Sequence, residues 1–163
     1  MIDFLQEKDL KKVLFWRNHK DIRHFMMNEK IIKSADHYQW FKNRVQDRST
    51  YALIYSEGGI QSGVITFTKL KKNIYEWGFY TDPNAPKGTG MRMGQEALNF
   101  IFNSGKASQI VGRVLDFNPR SKEFHLKLGF KEDSVDINQY ERDNKKFNIY
   151  NYVLKKENWS TIV

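Results

Sequence analysis

The chain has 163 residues, 40% hydrophobic and 15% aromatic, a composition that suits one packed core and excludes a disordered protein. With no cysteine, disulfides, a thiolate nucleophile and a cysteine zinc site are excluded. The formal charge of +8 favours polyanions, whether nucleic acid, nucleotide cofactors or nucleotide-activated sugars, and the scattered lysine pairs form no long block that would choose among them.

Residues 9–18 (DLKKVLFWRN) predict a first helix with Leu10, Val13 and Leu14 on one face. A short second helix is expected over 20–27. Ser34 is a good N-cap for a third, running to about Val45, with Tyr38, Phe41 and Val45 on one stripe. The period then changes. YALIY (51–55), IQSGVITFT (60–68) and IYEWGFYT (74–81), separated by SEGG and LKKN, read as an antiparallel meander. A helix follows over 90–103, with Met93, Ala97, Leu98 and Ile101 sharing a face. QIVGRVL (109–115) is a strand. Asn118 caps a helix that has Pro119 at its first position and Gly129 as its stop. VDINQY and KFNIYNYVL close the chain as a hairpin around 142–145. The expected fold is α/β: one mixed, mainly antiparallel sheet flanked by helices, a single domain over residues 1–163. No run of about 18 apolar residues predicts a membrane span. The start lacks a signal-peptide h-region, so a cytoplasmic location is expected.

NAPKGTG (84–90) sets a proline and two glycines before the fourth helix. The first N–H groups of a helix have no internal partner, and the dipole adds positive charge there. Phosphates bind such ends, and Lys87 and Arg92 add charge. The loop also reads as a plain turn. It is neither a Walker loop nor a dinucleotide fingerprint, because no G-K-S/T follows and Met93 stands where a third glycine belongs. In NPRSKEFHLKLGF (118–130), Asn118, Ser121 and His125 share one helical stripe, and Phe124 and Leu128 form another.

Together these two stretches resemble the GCN5-related N-acetyltransferases. That superfamily has a strand, a G-x-G/A loop and a helix, then a later helix of the form N-x-x-S/A-x-x-x-Y-x-K-x-G-F. The resemblance covers residues of about 50 to 154. It departs at Ala85, where Arg or Gln is usual, and at His125, where tyrosine is usual. FWRNHKDIRHFM (15–26), SADHYQWF (34–41), FTKL (67–70), APKGTG and FHLKLGF are similar to the branch that acetylates UDP-linked 4-amino-4,6-dideoxy sugars in pseudaminic acid biosynthesis, for flagellin glycosylation.

The resemblance implies direct attack of an amine on the thioester of acetyl-CoA. It assigns coenzyme contacts to Phe79, Tyr80, Lys87, Gly88, Thr89, Gly90, Met91, Asn118, Ser121 and Lys127. His125 is expected as a general acid, protonated under the influence of nearby phosphates and its helix dipole; the rival role is a contact near the sulfur. Glu76 is either the base, directly or through water, or an ordinary surface carboxylate. Arg17 suits a phosphate, and His37, Thr68 and Lys69 are carried over as nucleotide or sugar contacts. Trp16, Trp40 and Trp77 read as core. No metal constellation is visible among the four histidines. The alternatives are acetylation of a protein amino terminus or another small amine, a nucleic-acid-binding module, and a non-catalytic member of the fold. The oligomeric state, monomer or homodimer, stays open.

Overall fold

The computed structural model describes residues 1–159; the last four residues of the expected domain, 160–163, lie outside it. The chain starts with strand β1 (Ile2–Phe4), a 3-10 turn (Glu7–Asp9) and helices α1 (Leu10–Asn18), α2 (Lys20–Arg23) and α3 (Ser34–Gln46). The meander β2 (Thr50–Glu57), β3 (Ile60–Lys71) and β4 (Ile74–Thr81) leads into α4 (Thr89–Asn103). Then come β5 (Gln109–Leu115), α5 (Pro119–Lys127), β6 (Lys131–Arg142), β7 (Lys145–Lys155) and α6 (Lys156–Trp159). One seven-stranded sheet has the order β1-β2-β3-β4-β5-β7-β6. Every neighbouring pair is antiparallel except β4 with β5. A parallel pair needs a crossover, and α4 supplies it.

Helices cover both faces of the sheet. On one, Met93, Ala97, Leu98 and Ile101 of α4 are fully buried against Leu53, Ile65, Phe67 and Trp77, as the apolar spacing predicts. Gly94 lets α5 approach α4, since a Cβ there would sit 2.9 Å from both Leu128 Cδ1 and Phe124 Cζ. On the other face, Leu10, Val13 and Trp16 of α1 and Phe41 of α3 pack on Ala52, Ile54 and Val64. Burial of each large apolar side chain stabilises the fold by roughly 1.5–3 kcal/mol.

The third helix turns a different stripe inward from the one its pattern suggests. Tyr38 and Val45 are exposed, whereas His37 and Phe41 are buried. Arg44, seven residues after His37, reaches the sheet and donates to Thr68 Oγ1 at 2.9 Å. Positions 37, 41 and 44 form the packed face because the Arg44 guanidinium, bonded to Thr68 and lying 5.4 Å from the centre of the Trp40 ring, outweighs an apolar valine in anchoring this helix. Lys33 occupies the N-cap position and Ser34 the first helical one. The second helix stops at Arg23, four residues short of the expected end, and β1 and α6 had no sequence signal. The closing hairpin turns at Asp143 and Asn144, with φ of 51° and 60°, the positive-φ pair of a tight two-residue turn.

Candidate active site

Strands β4 and β5 pair only from Ile74–Gln109 to Glu76–Val111, although both continue. Beyond Glu76 they part and leave a wedge. The Asp82 N–H donates to the Ser62 carbonyl at 2.8 Å, and Tyr80 is opposite Val64 in the same ladder. Alternation then turns the backbone groups of Gly78 and Tyr80 toward β3, and those of Trp77, Phe79 and Thr81 toward the wedge. An extended ligand can therefore add to β4 at Phe79. The backbone contact expected of Tyr80 is corrected: its N–H and C=O already serve the β3 ladder.

The start of α4 opens at the same end of β4. Gly88 has a φ of 87° and forms the N-cap. The amides of Thr89, Met91 and Arg92 reach carbonyls of the loop. Those of Lys87, Gly88 and Gly90 donate to no acceptor among the described residues, and a Cβ on Gly90 would find nothing closer than Thr81 Cγ2 at 3.9 Å. Open N–H groups at the start of a helix make an anion cradle. Lys87 is exposed beside it, whereas Thr89 is buried and Met91 packs on the core. Arg92 lies against the loop: its Nη2 donates to Glu57 Oε2 at 2.9 Å and to Thr89 Oγ1 at 3.3 Å, and a Cβ on Gly88 would sit 2.7 Å from its Nη1.

Helix α5 borders the wedge on the β5 side. Asn118 caps it by accepting the Ser121 N–H at 3.1 Å. His125 is only 2% exposed. Its Nδ1 lies 2.7 Å from the Ser121 carbonyl, which can only accept, so the proton sits on Nδ1. Its Nε2 therefore accepts the Trp77 indole N–H, 3.0 Å away. Burial drives its pKa down to about 4, partly countered by the bond to Ser121. The imidazole is neutral at pH 7, stacked on Tyr152 and edge-on to Trp77 and Phe130. Gly112, the first β5 residue past the ladder, makes room for it: a Cβ there would overlap His125 Nε2 and lie 3.0 Å from Trp77 Nε1. This arrangement argues against a protonated general acid, because desolvation outweighs the dipole and both ring nitrogens are already bonded.

The α1 and α3 face of β4 carries another group. Tyr80 packs against the core there, and burial pushes its phenol pKa up. Arg17 donates through Nη2 to the Asn28 carbonyl at 2.7 Å, while its Nη1 is buried with no partner among the described residues. Burial lowers the Arg17 pKa, with Tyr80 opposing; burial and then Arg17 lower that of His37. His37 is buried and stacked on Trp40 at 5.1 Å. Glu76 is half-buried on this face and makes no hydrogen bond or ion pair among the described residues.

Residues 1–131 match the family described as "Acetyltransferase (GNAT) domain". The chain belongs to that family. It is 30% identical over 127 residues to Acetyltransferase PseH of Campylobacter jejuni, an alignment covering 77% of this chain and 79% of the relative. The GNAT fold is equally clear in solved structures. Spermidine N-acetyltransferase from Vibrio cholerae, in complex with CoA and spermine, superposes with a TM-score of 0.90 at 13% identity, over 98% of this chain and 97% of that one. Ribosomal-protein-alanine N-acetyltransferase from Brucella melitensis does so with a TM-score of 0.82 at 19% identity, over 95% and 99%.

Within this GNAT frame the structure gathers Phe79, Gly88, Gly90 and Asn118 around the parted strands, and Arg17, His37 and Tyr80 on the other sheet face. Three expected site residues have other engagements. Thr68 accepts from Arg44. Lys127 is exposed and pairs with Glu123 at 2.7 Å. Ser121 contributes its carbonyl to His125. Lys69 is exposed at the end of the meander. Sequence reasoning missed Arg44 and the Trp77–His125–Gly112 unit. A glycine inside a strand pattern signals close approach of another group, and Gly112 was that signal.

Proposed function

We propose that this GNAT enzyme acetylates the 4-amino group of a UDP-linked 4-amino-4,6-dideoxy sugar with acetyl-CoA, in pseudaminic acid biosynthesis for flagellin glycosylation. Likeness to Acetyltransferase PseH supports the branch. The observation that carries the acceptor class is Arg17, a half-buried side chain beside Tyr80 whose buried Nη1 has no partner among the described residues. A spare buried donor of fixed positive charge suits a phosphate or carboxylate oxygen. A polyamine acceptor, as named for the Vibrio neighbour, would be repelled by that charge and by the net charge of +8. Residues 1–163 act here as one cytoplasmic catalytic domain without a metal, as monomer or homodimer.

In this reading the open amides of Lys87, Gly88 and Gly90 hold the coenzyme diphosphate, with Thr89 and Met91 shaping the loop, and the pantetheine arm adds to β4 at Phe79. Asn118 and Ser121 border the arm from the α5 side. The neutral sugar amine attacks the thioester carbonyl. A C–N bond forms and the C–S bond breaks; the proton lost by nitrogen goes to a base and from there to solvent, and the departing thiolate takes up its proton from solvent. Glu76, unpaired and half-buried, takes that proton directly or through water. A thiol pKa near 8.5 makes thiolate a tolerable leaving group, so a dedicated acid is not required. Neutral His125 holds Trp77 and the wedge in shape. His37, Thr68 and Lys69 contact the nucleotide or sugar.

The test is release of coenzyme A thiol from acetyl-CoA across a panel of UDP-amino sugars, spermidine and an alanine-terminated peptide. The reading expects release with the 4-amino sugar nucleotide and at least tenfold less with the others. Release with spermidine or the peptide alone overturns it.

A further inference from the structure

Residues 24–33, HFMMNEKIIK, join α2 to α3 without regular structure of their own. Side chains from the preceding helices hold part of this loop. Asn18 brackets Ile32, donating to its carbonyl at 2.9 Å and accepting its N–H at 2.8 Å. Arg17 takes the Asn28 carbonyl, and Arg23 takes that of Glu29 at 3.1 Å. The remaining anchor comes from far along the chain. Arg142, at the tip of the closing hairpin, donates to the His24 carbonyl at 2.6 Å through Nη1 and to the Met26 carbonyl at 3.1 Å through Nη2. Its Nε and Nη2 reach the Tyr140 hydroxyl at 3.0 and 2.6 Å, and Glu29 lies 3.0 Å from Nε.

Arg142 is 9% exposed, and its guanidinium lies 5.1 Å from the centre of the Phe117 ring and 5.2 Å from that of Tyr140. Phe117 precedes the Asn118 cap and also meets the rings of His24 and Phe25. One cation therefore joins three parts: the hairpin tip, the residue before α5, and the loop whose Asn28 carbonyl holds Arg17. A lysine could not serve, because its ammonium lacks the planar fork that satisfies several acceptors at once.

We propose that Arg142 is a positioning residue for the acceptor. By fixing residues 24–29 against Phe117 it sets where Asn28 holds Arg17, without touching either substrate. This rests on Arg17 binding the acceptor, as proposed above. The consequence is a split in kinetic constants. Arg142→Lys raises KM for the UDP-4-amino sugar about tenfold, the scale of one charge-assisted contact, and leaves kcat and KM for acetyl-CoA within about twofold. Amide exchange at Phe25, Met26, Lys30 and Ile32 speeds up about tenfold, while that of α4 stays as in the wild type. Tyr140→Phe removes one acceptor from the guanidinium, keeps the ring, and gives the same pattern at smaller size; it stands in should the lysine variant not fold. Unchanged acceptor KM with unchanged loop exchange overturns the proposal, as does a parallel rise in KM for both substrates. Should the wild type acetylate no UDP-amino sugar, the proposed function fails, and loop exchange alone then decides whether Arg142 orders residues 24–29.

Discussion

The loop into helix α4 leaves the Lys87, Gly88 and Gly90 amides without an acceptor among the described residues, whereas α5 begins on a proline and an asparagine cap and carries a histidine with both ring nitrogens bonded. The two helices flank the same parted strands and belong to the same family motif. One is left open for a ligand; the other is closed on itself as packing. The difference lies in what each helix faces. The α4 start faces the gap beyond β4, where no acceptor among the described residues takes the Lys87, Gly88 and Gly90 N–H groups. The middle of α5 faces Trp77 and Gly112, where an unpaired polar atom would be costly. A motif position thus keeps its place in space while its chemistry changes with the residue.

The contrast can be broken first at Gly112. Gly112→Ala puts a methyl group into the His125 ring and should destabilise the protein by about 3 kcal/mol, read as a fall in Tm of roughly 10 °C. A stability near wild type would mean that α5 is not closed there. Next comes His125→Phe, which strands the buried Trp77 N–H and should cost about 2 kcal/mol in urea unfolding. Its kcat should stay within about tenfold and keep the shape of its pH profile, because a general acid would be worth about 10²- to 10⁴-fold.

A third expectation concerns pH. The folded-state pKa of His125, about 4, is below the unfolded value, so the unfolded chain binds the extra proton. Stability is full above the unfolded pKa of about 6.5 and is lost as pH falls toward 4, by about 1.8 kcal/mol between pH 7 and 5. His37, lowered by burial and by Arg17, acts in the same direction. Chemical unfolding at the two pH values should show a flatter dependence in His125→Phe than in wild type; equal slopes would contradict a neutral buried ring. The smallest effect belongs to Lys127→Ala. Its solvent-screened pair with Glu123 should leave Tm unchanged within error, and KM for acetyl-CoA should not change measurably.

The sequence carried the fold wherever periodicity was local. The face of α4, the meander and the Asn118–Pro119 start of α5 all follow from spacing and capping chemistry. Failures came where a long-range partner overrode a local preference. Val45 reads as core and is exposed because Arg44 anchors α3 on Thr68. His125 reads as an acid from its position in a motif, yet its protonation is set by burial and by Trp77, which is 48 residues away. Three-residue β1 is too short to show a period and exists because it pairs with β2. For the site, the glycine loop was legible because positive φ and open amides are backbone properties. The engagement of Lys127 and Arg92 with nearby carboxylates was not, since it depends on which side chains the fold brings close.

The central claim is that the open amides before α4 hold the diphosphate of coenzyme A, and a crystal structure of the protein soaked with coenzyme A tests it most directly. The account predicts diphosphate oxygens within hydrogen-bond distance of the Gly88 and Gly90 N–H groups, with the pantetheine arm running along β4 at Phe79. Coenzyme bound at another surface, with those amides still facing water, would contradict it.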